Sequence, residues 1–410
     1  MPETNEIVRT EKKFLNRIVP GLVTGAADND PAGVATYSLS GINFRYAQIW
    51  LLLLATPMLI AVQSMAVRLA LVSKKGLSEN YRKHYPLWIA LTAVIFLVVS
   101  NILTIGANIA AMAEAASLLA PGTKLIHWVV PISFLIWYVV VFFNYRQIRK
   151  YFLWLILFFG AFVISAILAR PDLAEIMAEI IRPQFQWHPA FISAAIALIG
   201  TTIAPYLFYW EAQETLEEKT PTKLARIEHW LQVPGFIISN FVSLMIIVAT
   251  GTLLFGRLSG DVTAAQVAMA LEPVAGSYAK LLFAVGILGA GFLAVPILAS
   301  SAALAISGFL GWKEGLSLKP TQAKGFYEII SASILVGVQI AISGFDPIKA
   351  LFFSQVISGI LTGPLILLML ILANKKGVMG QFTNNWFENV FAGLAVALLL
   401  AAAAGLFINI

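Results

Sequence analysis

Residues 21–41 read GLVTGAADNDPAGVATYSLSG. The stretch has the length of a membrane helix, but Asp28, Asn29, Asp30 and Pro31 stand at its middle. Residues 196–213 read IALIGTTIAPYLFYWEAQ and are interrupted in the same manner at Ala204-Pro205. Proline removes a backbone donor and its ring clashes with the preceding turn, so both helices are expected to unwind there. Unwound backbone survives at membrane depth only where protein buries it or where it lines a cavity. Two interrupted segments in corresponding places of two halves point to a transporter's binding site. The first break carries carboxylates, which selects a cation as cargo.

The rest of the composition agrees. The apolar share is 59%, the charged share 12% and the mean hydropathy +0.84. Soluble domains run nearer roughly 45–50% apolar and 25% charged. With ~20 apolar residues per span, we expect eleven helices, centred near residues 30, 60, 103, 136, 160, 202, 243, 292, 334, 361 and 398. The chain has no cysteine, so it carries neither a disulfide nor a thiolate metal ligand. Its net charge of +6 is spread over membrane loops and does not signal nucleic-acid binding. The N-terminal MPETNEIVRTEKKFLNR lacks the pattern of a cleaved signal.

Basic residues set the expected orientation. The tail holds Arg9, Lys12, Lys13 and Arg17; alternate loops add Lys74, Lys75, Arg82, Lys83, Arg146, Arg149, Lys150, Lys219, Lys223, Arg226, Lys313, Lys319, Lys324, Lys375 and Lys376. That is 19 of 27 on one side. Arg68 falls inside the second helix, near its basic end. The positive-inside rule places the N-terminus in the cytoplasm and, after eleven spans, the C-terminus outside.

The interrupted helices are the first and the sixth. Five spans separate their starts, so they cross in opposite directions, as in a five-plus-five inverted repeat. The expected organisation is an all-α membrane protein: a cytoplasmic tail at 1–17, a first five-helix repeat at 18–170, a second at 187–374, and an eleventh helix at 386–409. The segment DLAEIMAEIIRPQF (172–185) reads as a short amphipathic helix at the membrane interface.

Polar residues inside the spans are candidates for function. A carboxylate near the bilayer centre costs roughly 2.5–3.5 kcal/mol on insertion scales, so Asp30 needs a partner, a proton or an ion. The competing reading is a neutral Asp that caps the following half-helix. Asp28 is either a further ligand or faces an entry path. At the second break, the Ala204 carbonyl and its neighbours lose helical partners and become available to a cation. Thr201 and Thr202 read either way, because threonine often back-bonds inside membrane helices. Glu211 lies two turns beyond Ala204 and reads as a pathway carboxylate, a proton site or an interface residue. Glu214 leads toward the following loop and reads as solvated. Glu114 lies toward the outer end of the third helix, where it would hold a proton or attract cations. Asn101 and Asn108 share a face of that helix and read as interhelical glue. Gln355, in LFFSQVISGILTG, is an oxygen donor that the repeat would place near the break. None of the four histidines lies in a helix core.

These residues resemble the Nramp family of divalent-metal transporters. That family carries Asp-Pro-Gly-Asn in its first helix and Met-Pro-His-Asn in its sixth. The matching positions here read Asp30-Pro31-Ala32-Gly33 and Ala204-Pro205-Tyr206-Leu207. VATYSLSG after the first motif, MAEAASLL in the third helix, FSQVIS in the tenth and NKKGVMG after it match in order, so the resemblance runs from about Pro20 to Gly380. It implies the LeuT-type fold. The departures are informative. The family's metal-binding Asn is Gly33 and its metal-binding Met is Ala204. Its two sixth-helix histidines, linked to proton movement, are Tyr206 and Glu211. Its Asp before the third-helix Glu is Ala111. A thioether is a soft ligand that favours transition metals, whereas Mg²⁺ keeps several waters and takes one or two carboxylates. The chain is therefore most similar to the prokaryotic Nramp-related magnesium-transporter branch.

The reading that follows is a bacterial inner-membrane transporter importing Mg²⁺, and Mn²⁺ with it, by alternating access and without proton coupling. Asp30 binds the ion; carbonyls at Ala27 and Ala204, the backbone at Gly33 and the Gln355 amide complete its shell. Asp28, Glu114 and Glu211 are cation-pathway or proton sites. The alternatives are a proton-coupled Mn²⁺/Fe²⁺ symporter and, of another class, an amino-acid or organic-cation transporter. No nucleophile–base pair or cofactor loop argues for an enzyme. The expected partners are divalent ions and the lipid bilayer, with no cofactor; a monomer is compatible with this reading.

Overall fold

The computed structural model describes residues 25, 28–120, 122–143, 155–218, 220–222, 225, 232–258, 262–315 and 317–408. The tail expectation for 1–17 and those for Ala27, Arg146, Arg149, Lys150, Lys219, Lys223 and Arg226 lie outside these residues. Every regular element among the described residues is helical. In chain order the spans are α1 Pro31–Phe44, α2 Ile49–Ser73, α3 Leu87–Leu119, α4 Leu125–Phe142 and α5 Leu155–Leu168. There follow α6a Pro189–Thr202, α6b Pro205–Glu217, α7 Val233–Leu253, α8 Ala279–Leu310, α9 Lys324–Ala341, α10 Pro347–Asn374 and α11 Trp386–Ile408. These correspond to the eleven expected centres.

Local chemistry explains the boundaries. Asp30 caps α1, Asp346 caps α10 and His188 caps α6a, each followed by a proline at the first helical position. There the missing N–H costs nothing and the ring pre-sets φ. Pro57, Pro131, Pro296 and Pro364 instead lie within spans, where packed neighbours re-satisfy the freed backbone. The expected amphipathic segment is the helix Leu173–Ile181, capped by Asp172, with Leu173, Met177 and Ile181 exposed along one face. Arg45 pairs with its Glu175 at 2.9 Å.

The core is arranged around the interrupted helices. The most apolar stretch of α6a–α6b is 94% buried, whereas those of α4 and α11 are 22% and 28% buried. The sixth span is thus the axis, and α4 and α11 lie at the periphery. α1 packs on α7, α6a on α10, α6b on α2, and α3 along α8. Glycine permits the closest crossing: a Cβ on Gly200 of α6a would stand 2.5 Å from the Gly359 Cα of α10. On the flank, Arg68 of α2 and Glu388 of α11 form a buried ion pair. Ser64 and the backbone N–H of Asn385 also donate to Glu388, and Arg68 reaches Asn384.

Candidate functional site

Both breaks fall where the prolines place them. Asp28 is helical, Asn29 is in a turn and Asp30 is extended, with φ −66° and ψ 171°. In the sixth span, Ile203 and Ala204 separate the two halves. Pro205 has no N–H for the Thr201 carbonyl four residues earlier, which frees that oxygen. The Ala204 carbonyl is less free than expected. It accepts from Leu207 N at 3.1 Å, which leaves one lone pair for another ligand.

The turn splits the three polar residues of the first break between two sides. Asp30 is 2% exposed. Its Oδ1 accepts from the backbone N–H of Gly33 at 2.6 Å, and its Oδ2 accepts from Asn108 Nδ2 of α3 at 2.9 Å. Asp30 thus caps α1, as the structural reading has it, yet its second oxygen faces α3. Asp28 and Asn29 turn to α7 instead. Ser239 Oγ donates to Asp28 Oδ2 at 2.9 Å and accepts from Asn29 Nδ2 at 2.8 Å. Ser243 Oγ donates to Asn29 Oδ1 at 2.9 Å. Asp28 Oδ1 is buried and has no hydrogen-bond partner among the described residues. Neither aspartate is in an ion pair there; the pairs formed are Arg45–Glu175, Arg68–Glu388, Lys75–Glu79 and Lys324–Glu328. Among the described residues, the two buried carboxylates therefore share one region with neutral donors only.

The second break lies against the first. A Cβ on Gly33 would stand 2.9 Å from the Asp28 carbonyl oxygen and 3.2 Å from Thr201 Oγ1 of α6a. Thr202 back-bonds to the Leu198 carbonyl and meets Tyr37 OH of α1 at 3.1 Å. Gln355 is less direct: its backbone carbonyl lies where α10 crosses Gly200, and its amide donates to Ser354 at 3.3 Å. Among the described residues no three His, Cys, Asp or Glu side chains form a metal-holding group. Bound cation here would rest on one or two carboxylates, amide and carbonyl oxygens, and water.

The other carboxylates lie apart from this centre. Glu114 sits toward one end of α3, near Asp346 at the start of α10. Between it and Asn108 stands Ala111, in the wall of an apolar cavity of ≈ 10 Å³ beside Pro31, Ile348 and Leu351. That is room for about one water. Glu211 on α6b is completely buried, and neither carboxylate oxygen has a hydrogen-bond partner among the described residues. Glu214 corrects the sequence reading: it is 7% exposed, because α6b runs on to Glu217 against α2. Ser239 and Ser243 escaped the sequence reading. Their i, i+4 spacing on an apolar helix was the available signal.

Comparison with known proteins bears on the fold and the family. The divalent metal cation transporter MntH of Deinococcus radiodurans is 23% identical over 420 residues, spanning 97% of this chain and 90% of that protein. MntH of Klebsiella pneumoniae subsp. pneumoniae is 23% identical, spanning 94% and 92%. A manganese-transporter structure from Eremococcus coleocola superposes with a TM-score of 0.78 at 19% identity, covering 95% of this chain and 86% of that one. MhsT in complex with L-phenylalanine superposes at 0.60 and 13% identity, covering 95% and 97%. The likenesses show the LeuT-type fold, with its inverted repeat, that the two breaks predict. A family model described as "Natural resistance-associated macrophage protein-like" matches residues 21–409, taking in α11 as well, and the chain belongs to that family.

Proposed function

We propose that this protein carries divalent cations across the cytoplasmic membrane, Mg²⁺ and with it Mn²⁺, by alternating access and without moving protons in the same cycle. The observation that carries the reading is Asp30. It is a buried carboxylate at a helix break, held by neutral donors and in no ion pair among the described residues. A dication supplies the charge that the protein withholds. Relatives named as divalent metal cation and manganese transporters support the cargo class. The polar groups seen around Asp30 offer oxygen and nitrogen but no sulfur or imidazole, which suits a hard cation that keeps some of its water. Ala111 and its small apolar cavity break the line of polar groups along α3 between Asp30 and Glu114, which supports uncoupled movement.

The basic residues favour a cytoplasmic N-terminus. The five-helix units at 18–170 and 187–374 are then the two inverted repeats, each opening with an interrupted helix. The membrane potential contributes about 4.6 kcal/mol per 100 mV for a divalent ion, twice the ~2.3 for one charge, enough to drive uptake without a proton. Glu211 favours a second reading, proton-coupled Mn²⁺/Fe²⁺ symport, because a buried carboxylate with no hydrogen-bond partner among the described residues is a natural proton carrier.

Proteoliposome uptake with a pH-sensitive dye in the lumen tests both. We expect Mg²⁺ and Mn²⁺ uptake without acidification, and uptake at background in a folded Asp30→Ala variant. Near wild-type uptake by Asp30→Ala would overturn the site. Cation-dependent acidification that disappears in Glu211→Gln or Glu114→Gln would establish the coupled reading instead.

A further inference from the structure

We infer that Asn108 on α3 is a ligand of the transported cation, its side-chain oxygen joining the Asp30 carboxylate in the coordination shell. The inference rests on the reading that Asp30 binds the ion. Asn108 is completely buried. Its Nδ2 donates to Asp30 Oδ2 at 2.9 Å, and its Oδ1 is buried with no hydrogen-bond partner among the described residues. The carboxylate accepts and cannot donate, so it fixes which end of the amide faces it. The opposite end, a hard neutral oxygen, is left beside the charged group without a donor. Buried polar atoms are normally satisfied, and an orphan of this kind calls for an ion or a water.

The neighbouring residues leave few other side-chain sources for such an oxygen. Gly33, one turn along from Asp30, carries no side chain, and a Cβ there would press on the Asp28 carbonyl at 2.9 Å. Asn29 spends both ends of its amide on Ser239 and Ser243. The Gln355 amide donates to Ser354. The nearby residue Asn101 provides the contrast. It lies two turns away on the same face of α3, also with an orphaned oxygen, but its Nδ2 is held by the neutral Leu298 carbonyl. Only at Asn108 does the free oxygen stand next to a carboxylate. Oxygen ligands of mixed charge suit a hard dication. A ligand on α3 also makes the cation bridge a broken helix and a continuous one, so occupancy would tighten the α1–α3 contact.

Equilibrium binding of Mg²⁺ alone and of Mn²⁺ alone to the purified full chain tests this, alongside thermal unfolding with and without each ion. We expect Asn108→Ala to weaken both affinities at least tenfold and to abolish ion-induced stabilisation, which scales with occupancy, while unfolding without the ion shifts little. Asn108→Asp keeps the shape and an oxygen but loses the donor; a ligand role predicts affinity equal to or above the wild type. That variant decides the matter if Asn108→Ala does not fold. Wild-type affinity in Asn108→Ala would overturn the inference. So would an Asn108→Asp loss as large as that expected for alanine, since Asn108 would then act only as a donor that positions Asp30. Unchanged binding in Asp30→Ala would instead sink the site as a whole.

Discussion

Asp30 does two things at once: it caps α1 through Gly33 N–H and presents its other oxygen to α3. The capping reading is met by one oxygen, and the other, held by Asn108, is the one that the proposed cation would meet. Residue-scale chemistry also bears on selectivity. Ala204 caps α6b from a position 1% exposed and carries no sulfur of its own. Ala204→Met should bring in a soft ligand and favour Mn²⁺ or Cd²⁺ over Mg²⁺ by about tenfold, or ~1.4 kcal/mol. Calorimetric titration with each ion measures the ratio; an unchanged ratio would mean that ligand softness does not set selectivity. The companion change Gly33→Asn is a poorer probe. Its Cβ would meet the Asp28 carbonyl, so the turn itself would have to shift.

At the scale of elements, the interrupted helices are held by two kinds of contact. Side-chain hydrogen bonds tie the first break to α7 and α3, and close glycine crossings tie α6a to α10. The eleventh helix is fixed differently, by the buried Arg68–Glu388 pair. Removing one partner of such a pair strands the other charge, which costs about 3–5 kcal/mol. Glu388→Ala should therefore destabilise the protein by that order in detergent. Glu388→Leu combined with Arg68→Met should recover most of the loss. The exposed Lys324–Glu328 pair is the control: its loss should cost only a few tenths of a kcal/mol. Denaturant unfolding followed by tryptophan fluorescence reads all three, and equal effects would show that α11 is anchored by packing alone.

Across the whole molecule, the loop between α8 and α9 closes over the end of α6b. Glu217 accepts from Ser317 N at 3.1 Å and from Ser317 Oγ at 2.7 Å. Glu314 lies against Gly76 and Gly308, its Oε1 3.3 Å from where a Cβ on either would stand. Burial first, then the charges of Glu79 and Glu217, push its carboxyl from the ordinary 4.5 up to about 8. The folded state thus keeps a proton that the unfolded chain releases. Its stabilising effect is fully present below about pH 4.5 and is lost as pH rises through about 8. Hydrogen exchange over 77–84 and 311–318 should quicken as pH rises through that window, after correction for intrinsic exchange. Glu314→Gln, neutral throughout, should flatten the change. An identical pH profile in the variant would remove Glu314 from this closure.

The breaks were legible in the sequence because proline acts locally. Pro31 and Pro205 remove a donor wherever they stand, so α1 and α6b begin at them. Hydropathy likewise marks spans by residues that are neighbours in the chain. Which polar groups face which is a different kind of fact. Asp28 and Asp30 are two residues apart, yet one bonds to Ser239 and the other to Asn108, because an unwound turn follows no helical period. Glu214 read as solvated and is buried, and Arg68 gave no hint of Glu388, since each depends on a helix far along the chain. Sequence alone determined the spans, the two interruptions and the carboxylate at the first of them. Tertiary structure decided which oxygens stand around it, because partners hundreds of residues apart meet only when helices pack.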